Sequence, residues 1–403
     1  MTFTTTIVPN FIKSLRTRRL LELLPIIVTL ILAVAVSSVL LILFDANPIT
    51  AFNAMWQGAF GSQNSTAETL VKATPIMFVA IGITVAFRGG VINIGGEGQM
   101  IMGAVVGTAL TLSIGESLGA LVIPLALCAG FIAGGIYGGI AGFLKAYYDV
   151  NEILSTIMMN QIAVQLMNFL LNGPMLDPTT EGVNNIAKTQ RIPDIAELPR
   201  LSIDLGTVQL FDRTRLHAGF LIALALAVVI YILLWKTTIG YRIRAVGLNP
   251  HAARYAGIHV GRNMTLAMFL AGGCAGIAGV VQVLALGYRL QTDGSPVGFT
   301  ANAGFNGIVA ALFGGLNPLG AIFSSGFFGA LLVGANGMQR AVGVPAAMIT
   351  AINGLIVIFI VSSQIFTRRI ARQRLLQPAE SSPVATPIIS DPSADTPTEG
   401  VLL

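Results

Sequence analysis

A chain of 403 residues that is 54% hydrophobic and only 10% charged has too little polar surface to close as a soluble globule, since soluble domains carry about 25% charged residues. The formal net charge of +5 raises nucleic acid as a partner, but in so apolar a chain basic residues mark cytoplasmic loops, and a nucleic-acid role is excluded. Cys128 and Cys274 lie inside apolar runs without a CxxC spacing or a nearby histidine, so they read as small buried residues rather than as a disulfide or metal ligands.

The chain opens on a basic segment, 1–21, expected in the cytoplasm. The first apolar run is about 20 residues long and no small-residue cleavage site follows it, so no cleaved leader is expected. A helix needs about 20 apolar residues to cross the hydrocarbon core. The apolar runs therefore predict an all-α, polytopic transmembrane helix bundle over 22–366. About ten spans are expected on that criterion, at 22–44, 69–87, 96–114, 119–144, 153–172, 217–235, 264–286, 303–316, 318–336 and 344–366, the eighth being short. Ten spans put both termini on one side. With the N-terminus inside, 15 of the 23 basic residues fall on inner segments, and five of the other eight sit in the long loop 173–215. Long loops translocate largely regardless of charge, so the reading is N-in and C-in, with 173–215 external.

Between the second and third spans runs "FRGGVINIGGEGQM", residues 87–100, with five glycines around Glu97. Irregular backbone at membrane depth is tolerated where it lines a cavity or is covered by protein. One reading makes this a helix break beside a transport path, with Asn93, Glu97 and Gln99 offering polar groups and Asn306 and Asn353 adding amides from later spans. The other makes Glu97 an acid in the first turn of the third span, where the helix dipole favours it. Both stay open. In the fourth span Gly130, Gly134, Gly138 and Gly142 recur every four residues and line one face, and Gly272 and Gly276 repeat the spacing more weakly in the seventh. Such faces let backbones approach closely in lipid. Loop 173–215 is polar and carries four prolines; it is either a connection or a docking surface for something outside. From about 376 the chain turns rich in Pro, Ser, Thr and acid, and 367–403 reads as a basic then disordered cytoplasmic tail.

Catalytic chemistry finds no footing. No GxxxxGKS or GxxxxGKT pattern is present, "GGEG" lacks a following lysine, and His217, His251 and His259 have no ligand spacing. No metal site is expected. Two transport classes remain: a carrier driven by an ion gradient, and the membrane subunit of an ATP-driven importer. An ion-coupled carrier needs ionisable groups deep in the bundle. Glu22, Lys72 and Glu97 all lie near span edges, which favours an energy source outside this chain. The inner loop 236–263 carries a capped motif. Asn249 can cap a helix, Pro250 suits its first position, and Gly257 suits the position after its end. The spacing predicts a helix of about seven residues over Pro250 to Ala256, containing Ala252 and Ala253 and shaped for a partner to grip.

The stretches "GVINIGGEGQM", "NEILSTIMMNQIA", "GYRIRAVGLNPHAARYAGI" and "GFNGIVAALFGGLNPLGA" resemble the permease subunits of ABC importers of the branched-chain amino acid, ribose and simple-sugar group, and within it the nucleoside-type permeases. The similarity runs from about residue 65 to 366. It implies a bacterial inner-membrane subunit forming half of a path for nucleosides or related simple sugars. The partners it implies are a second related permease, an external solute-binding lipoprotein and a cytoplasmic ABC ATPase, which holds the ATP and magnesium. The segment from Gly247 to Ile258 resembles the coupling loop that docks on the ATPase, with Gly247, Asn249, Pro250, Ala252, Ala253 and Gly257 at its matching positions. An acid often opens that loop in other ABC permeases, and "HAARYAG" has none.

Overall fold

The computed structural model describes residues 31–180, 186–204, 209–211 and 213–343, with Val28 and scattered positions between 348 and 362 besides. The basic segment 1–21, Asn353, the tail 367–403 and most of the tenth expected span lie outside the described residues.

Most of the described residues are helical. In order come α1 (Ile31–Leu43), α2 (Pro48–Phe60), α3 (Gln63–Arg88), α4 (Gly96–Leu118), α5 (Val122–Tyr148), α6 (Glu152–Leu171) and α7 (Gly219–Lys236). The short α8 (Thr238–Leu248) and α9 (Pro250–Tyr255) lead into α10 (Val260–Gln282), which ends in a π turn over Val283–Gly287. Then follow α11 (Pro296–Thr300), α12 (Ala303–Phe313) and α13 (Pro318–Val342). Strand pairing among the described residues is confined to a two-residue antiparallel ladder between Ile203–Asp204 and Gln209–Leu210 and two isolated bridges.

Among the described residues seven helices are long and apolar enough to cross a membrane, or eight spans if the bent pair α1 and α2 counts as one. Two expected spans look different in the fold. The first continues past Asn47, whose side chain accepts from the amides of Ile49 and Thr50 and starts α2; α2 is bent 116° from α1. The eighth, expected over 303–316, is the 11-residue α12, roughly 16 Å long at 1.5 Å per residue and too short to cross alone.

Packing follows residue size. In α3 nearly every position from Ile76 to Ala86 is buried; a helix apolar all round is one enclosed on all sides. In α5 the face carrying Gly130, Gly134, Gly138 and Gly142 is buried, while Ile132, Ile136 and Ile140 on the opposite face are about half exposed, at 51%, 55% and 45%. The glycine face meets a second one. A Cβ placed on Gly134 would strike the Gly272 carbonyl and Gly276, and one on Gly276 would strike the Gly130 carbonyl. Gly103 of α4 presses on the same residue, Gly276, from another side. The weaker spacing in α10 is thus the hub on which α4 and α5 close.

Loop 173–215 is folded onto the end of α10. The amides of Thr189, Ile192 and Leu198 donate to the carbonyls of Leu290, Tyr288 and Leu284, each at 2.9 Å. The Arg191 guanidinium meets Glu197 at 2.6 Å and lies over the Tyr288 ring.

Candidate functional site

The glycine-rich stretch breaks the chain between α3 and α4. After Arg88 the backbone turns through Gly90, at φ +76°, a left-handed conformation open to glycine at no steric cost. Gly90 also touches the backbone of Gly247, at the end of α8: a Cβ there would stand 3.0 Å from the Gly247 Cα. Residues 91–94 have no regular secondary structure, and α4 starts at Gly96. Arg88 ties the break to another element. Its Nε donates to the Leu316 carbonyl at 3.0 Å in the turn between α12 and α13, and its guanidinium lies 5.5 Å from the centre of the Trp235 ring.

The polar side chains of the break hold it together. Asn93 and Gln99 are buried and form a reciprocal amide pair, each donating to the other at 3.0 Å, and Asn93 Oδ1 accepts the Gly95 amide at 2.9 Å. Asn160, on α6, accepts the Gly98 amide at 2.8 Å and donates to the Ile94 carbonyl at 3.0 Å. Glu97 is 1% exposed and sits in the first turn of α4. It also reaches a second helix start: the Phe305 amide of α12 donates to Glu97 Oε1 at 3.3 Å, with the Thr300 side chain and the Gly304 amide on the same carboxylate. One acid therefore faces the N-termini of two helices, both of which favour negative charge. Asn306 stands half-buried on α12, next to Phe305. Asn93, Glu97 and Gln99 thus meet at one break, Asn306 lies on the helix that Glu97 caps, and Asn353 lies outside the described residues.

Beyond Thr300 lies a cavity of about 190 Å³ walled by Lys72 and Pro75 of α3, Gln282 of α10, Ala301, Ala303 and Asn336 of α13, among others. The sequence left Lys72 as an edge residue and did not single out Gln282, Thr300 or Asn336. A lysine inside an apolar run was the one signal available; the others are brought together by folding alone.

At the bundle end beside Gly247, α9 spans Pro250–Tyr255, one residue shorter than expected. Asn249 Oδ1 accepts the Ala252 amide at 3.1 Å. The far end closes as its sequence implies: the Ile258 amide donates to the Ala253 carbonyl, the Gly257 amide donates to the Arg254 carbonyl, and Gly257 adopts φ +76°. Ala252 faces out, whereas Ala253 is 4% exposed and packs inward. Leu248, the last residue of α8, and Tyr255, the last residue of α9, are 85% and 95% exposed.

The described residues form a helical bundle with a break between α3 and α4 and a capped short helix at one end, and the comparisons give its class. The family of permease components of branched-chain amino acid transport systems matches residues 65–361, and the chain belongs to it. It is 33% identical to the guanosine ABC transporter permease protein NupP of Bacillus subtilis, over 86% of this chain and 95% of that one. It is 32% identical to the glucose ABC transporter permease protein TsgB13 of Haloferax volcanii, over 85% and 88%. It is 30% identical to the guanosine ABC transporter permease protein NupQ of Bacillus subtilis, over 65% and 78%. No solved structure matches the chain. The protein is an integral membrane permease subunit of an ABC transporter, and ATP hydrolysis belongs to a separate subunit.

Proposed function

We propose that the chain forms half of the translocation path of an importer for nucleosides or related simple sugars. The printed substrates of its relatives, guanosine and glucose, support that class. In this reading a second related permease completes the path; that two permeases of one organism both resemble this chain supports it. An external lipoprotein delivers the solute, and a cytoplasmic ATPase, holding ATP and magnesium, drives alternation. The termini lie in the cytoplasm and loop 173–215 lies outside, on the distribution of basic residues. The break at 89–95 shapes the path, with Asn93 and Gln99 keeping it closed upon itself and Glu97 and Asn306 setting where α12 stands.

The observation that carries the ATPase docking role is α9 itself. This six-residue capped helix between α8 and α10 exposes Tyr255 almost fully, and Leu248 at the end of α8 is exposed before it. Two large apolar side chains held out at the ends of a capped helix suit insertion into a partner's pocket. Gly247 serves differently, letting α8 lie against the Arg88–Gly90 backbone. The inward position of Ala253 makes it a poor test of docking, because a bulky residue there disturbs the loop's own packing. Tyr255→Asp and Leu248→Asp change only the exposed surface. The expected result is a normally inserted permease whose co-purified ATPase falls at least about tenfold, the loss of one interface anchor. Normal ATPase recovery from the double variant would remove the role from α9.

A further inference from the structure

The cavity behind Thr300 adjoins a second space of about 210 Å³, and the two share Val71, Lys72, Gln282 and Leu286. Together they fall in the lower part of the roughly 300–1,000 Å³ typical of small-molecule sites. Lys72 is the fourth residue of the apolar run 69–87 carried by α3, roughly 5 Å into it at 1.5 Å per residue. Its side chain is exposed to this space and has no hydrogen bond or ion pair among the described residues. It stands near the edge of that run, where the second space is also lined by Glu68, Arg215 and Arg289, so a charge-lined space meets the ammonium, and ionisable residues facing a cavity from a span mark solute pathways. The wall also supplies backbone. Pro75 has no N–H, so the Val71 carbonyl lacks its intrahelical donor, and Val71 lines both spaces. Irregular backbone surrounds the rest: the π turn begins directly after Gln282, and Ala301 sits at φ +51°. Non-helical chain at this depth is tolerated where it borders a polar cavity.

We propose that this space is a solute-binding station on the path, in which Lys72 donates to an acceptor atom of a nucleoside or sugar and the Gln282 and Asn336 amides meet its neighbouring hydroxyl or base-edge groups. The proposal rests on the substrate class given above. The chemistry suits that class: an ammonium has three donors, and each amide offers both a donor and an acceptor. Behind the wall, Thr300 bonds to Glu97, so the station connects directly to the break between α3 and α4.

The test uses the complete transporter, reconstituted with its ATPase, partner permease and external lipoprotein, on a Cys128→Ser background. Uptake of labelled guanosine, uridine, ribose and glucose is measured with ATP. Lys72→Met should raise KM at least about tenfold, the loss of one hydrogen bond from a charged donor, with the ATPase still co-purifying, and Lys72→Arg should recover part of it. Asn336→Cys should react with a charged thiol reagent and be protected by a saturating transported solute. An unchanged KM in Lys72→Met together with unprotected Asn336→Cys would overturn the station. So would loss of the partner permease in Lys72→Met with KM unchanged in Gln282→Leu, since Lys72 would then be an interface residue. If Lys72→Met fails to assemble at all, the protection of Asn336→Cys decides. A wild-type complex that takes up none of the four solutes overturns the substrate class itself, and the station with it.

Discussion

At the scale of single residues, Glu97 shows how one side chain answers two demands. The first turn of α4 favours an acid through the helix dipole, worth about 0.3–1 kcal/mol. The hydrogen bond from the Phe305 amide adds a cost of removal that the dipole alone does not have, because a buried donor left without an acceptor costs about 1–3 kcal/mol. Glu97→Gln keeps an acceptor and should lower the thermal stability of the purified complex slightly. Glu97→Ala strands the Phe305 and Gly304 amides and should lower it more, by about 1–3 kcal/mol. Equal stability of the two variants would show that the charge, and not the bridge to α12, is what matters. One of the two readings open in the sequence put Glu97 in a first helical turn, where it stands in α4, but Phe305 lies 208 residues away, and no local pattern links them. The same limit hid Asn160, which clamps the break from α6 across 62 residues.

At the scale of elements, glycine has two separate uses here. In α5 and α10 it is a matter of space: a Cβ on Gly276 meets the Gly130 backbone, which cannot move without parting the helices. At Gly257 it is a matter of conformation, since nothing lies within 4 Å of a Cβ there and only φ +76° opposes a side chain. Gly276→Ala should therefore reduce the yield of folded permease severely, while Gly257→Ala should cost about 1–2 kcal/mol and Gly257→Asn less. Folded yield by fluorescence-detected size exclusion separates them; equal tolerance at both positions would refute the space argument for α10. The four-residue glycine spacing of α5, the caps of α9 and the left-handed Gly257 were legible because each is a local rule. The inward turn of Ala253 was not, because a six-residue helix has its buried face chosen by α8 and α10. The bend at Asn47 was missed for a related reason: an apolar count finds a run but not a corner. The length of α12 was half-legible, in that the run was already short.

At the scale of the whole molecule, composition sufficed to place the chain in a membrane, and the arrangement of α8, α9 and α10 gives that bundle an end suited to a motor. Orientation follows if α9 faces the cytoplasm. In intact cells, on a Cys128→Ser background, Asp194→Cys, whose native side chain is 93% exposed in loop 173–215, should react with an impermeant maleimide. Lys236→Cys, exposed at the end of α7, should react only after permeabilisation; the reverse pattern would invert the topology. The claim on which everything else depends is the energy source. Few ionisable groups lie within the spans, and the family is one of ABC permeases. The direct measurement is solute uptake into proteoliposomes carrying this chain, its partner permease, its ATPase and its binding lipoprotein. Uptake should require hydrolysable ATP and continue when ionophores abolish every ion gradient. Uptake by this chain alone, driven by a proton or sodium gradient without ATP, would contradict the account.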